Sequence, residues 1–219
     1  MAKLGQKHTS VTLIDVMGDD QTVVKAARVS FNKSDAWNSE RDTKLIKYLA
    51  EHNHWSPFSH CFATFRITAP IFVARQLGKH QVGLAWNEVS RRYVDDDVEF
   101  HIPDFWRGRP SNKKQGSHGI IDDTAGGVKH TYEDALRHCN AAYNALLNQG
   151  VAAEQARAVL PQSMMTSWYW SGSLYAFARV CNLRQHADAQ YETEIVAGQI
   201  SSHLRTKFPV SWKVLVDEQ

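Results

Sequence analysis

The sequence predicts a mixed fold of strands and helices in one domain spanning residues 1–219, and three patterns carry that prediction. Residues 11–16 form a short run rich in β-branched side chains. Residues 132–147 repeat apolar side chains at helical spacing. Residues 168–170, Trp-Tyr-Trp, set bulky aromatics among small polar residues, which is a pattern of sheet core.

The elements follow in order. After the strand at 11–16 comes a short helix at 21–28. Ser39-Glu40-Arg41-Asp42 resembles a helix start, and Leu45, Ile46 and Leu49 share one face up to about residue 52. Residues 61–68 read as a strand. Pro70 then opens a helix through Ile71, Val73, Ala74 and Leu77, which places Arg75, Gln76 and Lys79 near its end, where a polar loop begins. A further strand is expected at 98–102, closed by Pro103. Residues 111–127 are rich in Gly, Ser, Lys and Asp and read as a mobile surface loop. The helix whose apolar face carries Ala135, Leu136, Cys139, Tyr143, Leu146 and Leu147 ends at Gly150, and two more helices are expected over 173–183 and 189–207. No internal repeat is visible.

Composition narrows the class. With 43% apolar and 22% charged residues, the chain can bury a sizeable core. A net charge of +2 argues against a general nucleic-acid binder, so any working positive charge is local and suits a small anion. No apolar run reaches bilayer-spanning length and the first seven residues lack the apolar core of a signal peptide, so a cytoplasmic protein without membrane contact is expected. Cys61, Cys139 and Cys181 are odd in number and widely spaced, which reads as buried thiols in a reducing compartment.

One stretch is unusually dense in chemistry. Arg75-Gln76-Leu77-Gly78-Lys79-His80-Gln81, leading into Asn87-Glu88-Val89-Ser90-Arg91-Arg92-Tyr93, sets cations, amides, a carboxylate and a hydroxyl beside an apolar run. Guanidinium and ammonium groups give phosphate charge-assisted bonds, while Glu88, Ser90 and the amides offer directional partners to a polar ring. A solvated charged loop is the bland alternative. Other sites are weaker: His52, His54 and His60 lack a carboxylate or cysteine at ligand spacing, so no metal is expected. Ser90 has no G-x-S-x-G elbow around it and is read as a substrate-holding hydroxyl. The aromatic run 168–170 is read as sheet core in preference to a base-stacking platform, and no G-x-G-x-x-G follows a strand.

The polar stretch resembles the signature of the flavin-dependent thymidylate synthases, written Arg-His-Arg, seven residues, Ser. Here it reads Lys79-His80-Gln81, eight residues, Ser90, so both outer arginines are replaced and the loop carries one extra residue. Val16-Met17-Gly18-Asp19-Asp20, Ala26-Ala27-Arg28-Val29-Ser30-Phe31, the block from Glu51 to His60, the block from Pro70 to Gln76, the block from Ala156 to Pro161 and Asn182-Leu183-Arg184 resemble the same family in its order.

The resemblance implies an α+β fold, a mixed sheet flanked by helices, assembled as a homotetramer whose active sites are shared between subunits. It implies a methyltransferase that converts dUMP to dTMP, with methylenetetrahydrofolate as carbon donor and NADPH reducing FAD. Reduced flavin relays the methylene group and donates the hydride in that family, with no cysteine nucleophile. By position, Gln76, Lys79, Glu88, Ser90, Arg91, Arg92, Arg157 and Arg184 correspond to dUMP contacts. His54, Ser56, Lys79, His80, Gln81, Glu88, Ser173, Tyr175 and Arg179 correspond to flavin contacts, the last three departing from the commoner Asn, Arg and Asn. Arg184 corresponds to the arginine that stabilises the ionised pyrimidine ring, and with Ser90 it forms the expected catalytic pair. A nucleotide- or flavin-binding protein without catalysis and a nucleic-acid-binding module are the competing readings.

Overall fold

The computed structural model of the chain describes residues 4–32, 36–93, 97–110, 116–186 and 188–217. The chain divides into two compact units. The first comprises Met1–Thr9, Thr68–Leu77 and Glu88–Trp168, and the second comprises Ser10–Ile67, Gly78–Asn87 and Tyr169–Gln219.

In the second unit, β2 (Ser10–Met17) leads into α1 (Asp20–Arg28). The turn is encoded locally: Gly18 takes φ +88, and Asp19 and Thr22 form a reciprocal capping box. A Cβ on Gly18 would sit 2.9 Å from the Cys61 sulfur, so this turn also requires glycine for space. Helix α2 (Ser39–Glu51) is capped by Asn38 and buries Ile46 and Leu49, two of the three positions its periodicity pointed to. Strand β3 (Phe62–Pro70) runs straight into α3 (Ile71–Leu77), so Pro70 closes the strand instead of opening the helix.

The main sheet has the order β2-β3-β8-β4, where β4 is Leu84–Glu88 and β8 is Met165–Ser173. The polar loop of the sequence reading therefore contains an edge strand. In β8, Trp168 and Trp170 are buried and Tyr169 is exposed, the alternation of a strand with one face in the core. Helices α6 (Leu174–Arg184) and α7 (Tyr191–Lys207) follow, and α7 lies along β2, where the Gln199 side chain accepts from the Val11 N–H. Edge-to-face pairs Phe65–Phe177, Trp170–Phe177 and Trp86–Trp170, 5.1 to 5.5 Å apart, fill the core of this unit. Phe65, Trp170 and Phe177 are fully buried, and each contributes about 1.5–3 kcal/mol; Trp86 is half-buried. A short α8 (Pro209–Trp212) starts where the Asp20 carboxylate accepts from the N–H groups of Val210 and Ser211.

The first unit is built on α4 (Gly127–Asn148), which begins five residues before the apolar pattern and ends before Gly150. Its core joins Val98, Phe100, Ile102, Leu136, Tyr143, Ala156 and Met164. The strand expected at 98–102 is reduced to β5 (Glu99–Phe100), paired parallel with β1 (Gly5–Gln6); beyond it the His101 N–H bonds to the Ser163 carbonyl at 2.8 Å without extending the ladder. Residues 111–115 of the expected mobile loop lie outside the described residues. The rest is not a bare loop: β7 (His118–Ile120) pairs antiparallel with β6 (Arg107–Gly108) through a bulge. A single turn, α5 (Ala153–Ala156), carries the chain towards β8.

Candidate active site

The second unit presents a cleft of about 920 Å³ lined by Arg28, Phe31, Tyr48, His54, Trp55 and Ser56, among others. Its rim is set by the end of α2. Asn53 adopts φ +56, the His54 N–H bonds to the Leu49 carbonyl at 2.8 Å, and the Asn53 N–H bonds to Ala50 at 3.0 Å. This is a Schellman closure with asparagine in the left-handed position. It turns the chain so that His54, Trp55 and Ser56 leave the helix together, exposed at the cleft. The Tyr48 ring stacks on His52 at 4.1 Å and meets His54 edge-on at 5.9 Å.

Beneath the cleft lies an ion pair. Asp42 is fully buried and accepts from the Asn38 N–H at 2.9 Å, from Arg41 Nε at 3.2 Å and from the Arg28 guanidinium. Burial would raise the Asp42 carboxyl, but these donors outweigh it and hold the group below its usual range. Asp42 and Arg28 were assigned no role on sequence grounds. A buried Asp in a helix first turn, fourteen residues from an Arg, carries no local signal that the two meet.

A smaller pocket of about 120 Å³ adjoins His54 and Trp55 and is also lined by Tyr175 and Arg179 of α6. The Trp55 and Tyr175 rings lie 6.3 Å apart. Three expected flavin residues, His54, Tyr175 and Arg179, thus meet. Ser173 is committed elsewhere: it is buried, and its hydroxyl caps α6 by accepting from the Ala176 N–H at 3.2 Å. That bond stabilises the helix by about 1 kcal/mol.

Arg184, in the last turn of α6, donates from Nε to His80 Nε2 at 2.9 Å. Both side chains are half-buried. Burial first, then the positive charges of Arg184 and Arg179, keep the His80 imidazole below its usual value, and burial lowers Arg184 as well. Lys79 and Gln81 are exposed on either side. The segment is held down at Gly83, φ +76, where a Cβ would come within 3.1 Å of Ala176. On β8, a Cβ at Gly172 would stand 2.6 Å from the Gly83 carbonyl and closer still to Leu84, so only glycine admits this approach.

In the first unit, Gln76 sits in the last turn of α3, and Glu88, exposed at the end of β4, accepts from the Thr166 hydroxyl at 2.8 Å. Ser90 opens a turn, its carbonyl accepting from Tyr93 N–H and its hydroxyl from Arg92 N–H. Arg91 reaches the Asp97 carbonyl, 3.2 Å away. Two expected nucleotide contacts converge on Glu154: Arg92 Nε lies 3.5 Å from its carboxylate and Arg157 Nε donates to its backbone carbonyl at 3.3 Å. Arg92 and Glu154 are both about half exposed, so this pair is weak.

The thiols line neither cleft. Cys61 is buried, and burial with the nearby Asp19 and Asp20 pushes it up to about 12; Cys181 is buried and pushed up too, while Cys139 sits half-buried on α4. Among the described residues, no group of three His, Cys, Asp or Glu side chains has an arrangement suited to a metal ion, and no helix is long and apolar enough to cross a membrane.

The class of an α+β chain with clustered arginines, a half-buried His–Arg pair and an aromatic cleft is identified by comparison. Residues 12–210 match the family described as thymidylate synthase complementing protein, and the chain belongs to that family. It is 40% identical over 209 residues to a flavin-dependent thymidylate synthase of Kosmotoga olearia, covering 94% of this chain and 90% of that one. Its identity to the protein of the same name from Thermus thermophilus is 38%, over 92% of this chain and 73% of the other. Among solved structures, a UMP/dUMP methylase, PolB from Streptomyces cacaoi bound with 5-Br dUMP, matches with a TM-score of 0.87 at 30% identity, covering 97% of this chain and 96% of that one. The fold expectation, α+β with a sheet flanked by helices, agrees with this neighbour.

Proposed function

We propose that the protein is a flavin-dependent thymidylate synthase, a methyltransferase that makes dTMP from dUMP with methylenetetrahydrofolate as carbon donor, FAD as flavin and NADPH as reductant. The observation that carries the reading is Arg184: within a chain of this family, it offers a half-buried cation fixed at Nε. A pyrimidine ionised at N3 is more nucleophilic at C5, and a guanidinium, which stays charged and places its donors in one plane, stabilises that ion. With two of the three thiols held protonated at neutral pH, a cysteine adding to C6 is not the favoured activation.

The remaining residues bind and orient. Arg92 and Arg157, with Arg91 and Lys79, are assigned to the nucleotide phosphate, which accepts bidentately and competes well against the weak contact to Glu154. Gln76, Glu88 and Ser90 are assigned to orienting the nucleotide, Ser90 without covalent attack. The donor set of the second unit suits a flavin dinucleotide: His54, Trp55 and Tyr175 offer ring faces, and Ser56, His80, Gln81 and Arg179 offer polar partners to a planar, anionic group. Glu88 and Lys79 are assigned to both ligands, and Ser173 to the flavin through its backbone, since its hydroxyl is engaged. Bound FAD supplies the redox step, and the protein orients the reactants around it.

A homotetramer, with subunits lending walls to each site, accounts for three large ligands on one short chain, and the cytoplasm is its assigned compartment. The test is direct. Purified protein should carry flavin absorbance that bleaches with NADPH in the presence of dUMP, and should form dTMP once methylenetetrahydrofolate is added. Light scattering should give a mass near four chains. Absence of dTMP from flavin-loaded protein would refute the activity, and a fully active monomer would refute the shared site.

A further inference from the structure

We propose that His80 is a positioning residue, a neutral imidazole that accepts at Nε2 from Arg184 and thereby aims the guanidinium at the pyrimidine ring without cancelling its charge. The proposal rests on the assignment of Arg184 to dUMP. Its argument begins with donor inventory: arginine has donors only, so at 2.9 Å the imidazole nitrogen must accept. An imidazole accepting at Nε2 carries its proton on Nδ1 and has no net charge. Protonation would set two N–H groups against each other and break the contact.

The chemistry of the acceptor is the point. A carboxylate in this place would hold Arg184 more strongly, but it would neutralise the charge that an anionic ring needs. A neutral acceptor fixes the direction and leaves the full positive charge. The surroundings favour the neutral ring. It is half-buried, and the charges acting on it are two guanidiniums of α6, Arg184 and Arg179; Lys79 adjoins it in the chain. The backbone that carries it is pinned as well, since Gly83 packs on Ala176 of α6 with φ +76 and Gly172 of β8 approaches the Gly83 carbonyl more closely than any side chain allows. The remaining Nδ1–H is a donor, which lets one ring serve Arg184 on one edge and a cofactor acceptor on the other.

The test uses the full-length, flavin-loaded enzyme with two variants, His80→Leu, which cannot accept, and His80→Gln, which can accept and does not titrate. Flavin content is read from visible absorbance and dUMP affinity from calorimetry. His80→Leu should weaken dUMP binding at least tenfold and lower kcat at saturating dUMP by a further tenfold to hundredfold, with flavin content matched. His80→Gln should restore most of both.

In wild type, dUMP affinity should fall as pH drops through the value of His80, which burial and the two guanidiniums hold below the ordinary histidine value of about 6.5. His80→Gln should lose that limb, leaving only the slope from the nucleotide phosphate common to both proteins. Nitrogen-15 spectra of the ring should give the Nδ1–H tautomer at pH 7, a readout independent of turnover. An Nε2–H or charged ring, unchanged dUMP affinity in His80→Leu, or a persisting acid limb in His80→Gln would overturn the inference. Failure of wild type to make dTMP, with the tautomer as expected, would instead count against the assigned activity.

Discussion

Replacing Asp42 with Asn should destabilise the second unit severely, and the structure sets the scale. Asp42 has no exposed surface, and its main partner, Arg28, has a side chain only 11% exposed. The substitution keeps the volume but leaves the Arg28 cation buried without a counter-charge and turns an amide N–H₂ towards donors. Breaking one side of a buried ion pair costs about 3–5 kcal/mol. Arg41, half exposed, adds no more than about 1 kcal/mol. With a urea slope of roughly 2–3 kcal/mol/M, the midpoint should fall by about 1–3 M at pH 7.

The pH dependence follows from the sign. The Asp42 carboxyl is depressed in the folded state, so its contribution is complete above the unfolded value near 4 and is lost as pH falls through the folded value. Asp42→Asn should therefore lose part of the wild-type decline in stability below about pH 4. The double variant Asp42→Leu with Arg28→Met should recover most of the loss, since an apolar pair of similar volume has no unpaired charge to bury. A midpoint shift below about 0.3 M for Asp42→Asn, or a double variant no better than the single, would refute the reasoning.

Arg184→Ala should lower turnover about a hundredfold to a thousandfold, some 3–4 kcal/mol, and weaken dUMP binding, whereas replacing Cys61, Cys139 and Cys181 together by Ala should leave appreciable dTMP formation per folded enzyme; steady-state kinetics on both separates ring activation from thiol catalysis. Restoring Arg at positions 79 and 81 should tighten FAD by ~1–3 kcal/mol for each charge-assisted bond regained, measured by flavin retention on dialysis, and unchanged retention would mean that the extra loop residue re-routes these contacts. At Asn53, where φ is +56, Val should cost on the order of 1–3 kcal/mol by thermal unfolding and reduce flavin content by displacing His54 and Trp55, while Gly should be nearly silent in both.

Much of this protein was legible without coordinates. The strand at 11–16, the helices at 39–52 and 189–207 and the buried alternation of Trp168 and Trp170 are written in local periodicity, because one face of each element must meet the core whatever lies opposite. The inventory of cations between Arg75 and Arg92 was equally plain, since residue type alone states which groups grip an anion. Strand β4 was not, because an edge strand with Ala85, Asn87 and Glu88 exposed has the composition of a loop until β8 supplies its hydrogen bonds. Nor was the pairing of β6 with β7, two and three residues long.

The site's decisive contacts belong wholly to tertiary structure. His80 and Arg184 meet across 104 positions, and Arg28 finds Asp42 only because α1 packs on α2. Sequence determines which donors and acceptors exist. Folding decides which are buried, which partner each one finds, and hence which imidazole stays neutral and which guanidinium keeps its charge, because desolvation and fixed distance, the two quantities that set those protonation states, are undefined until distant segments come together.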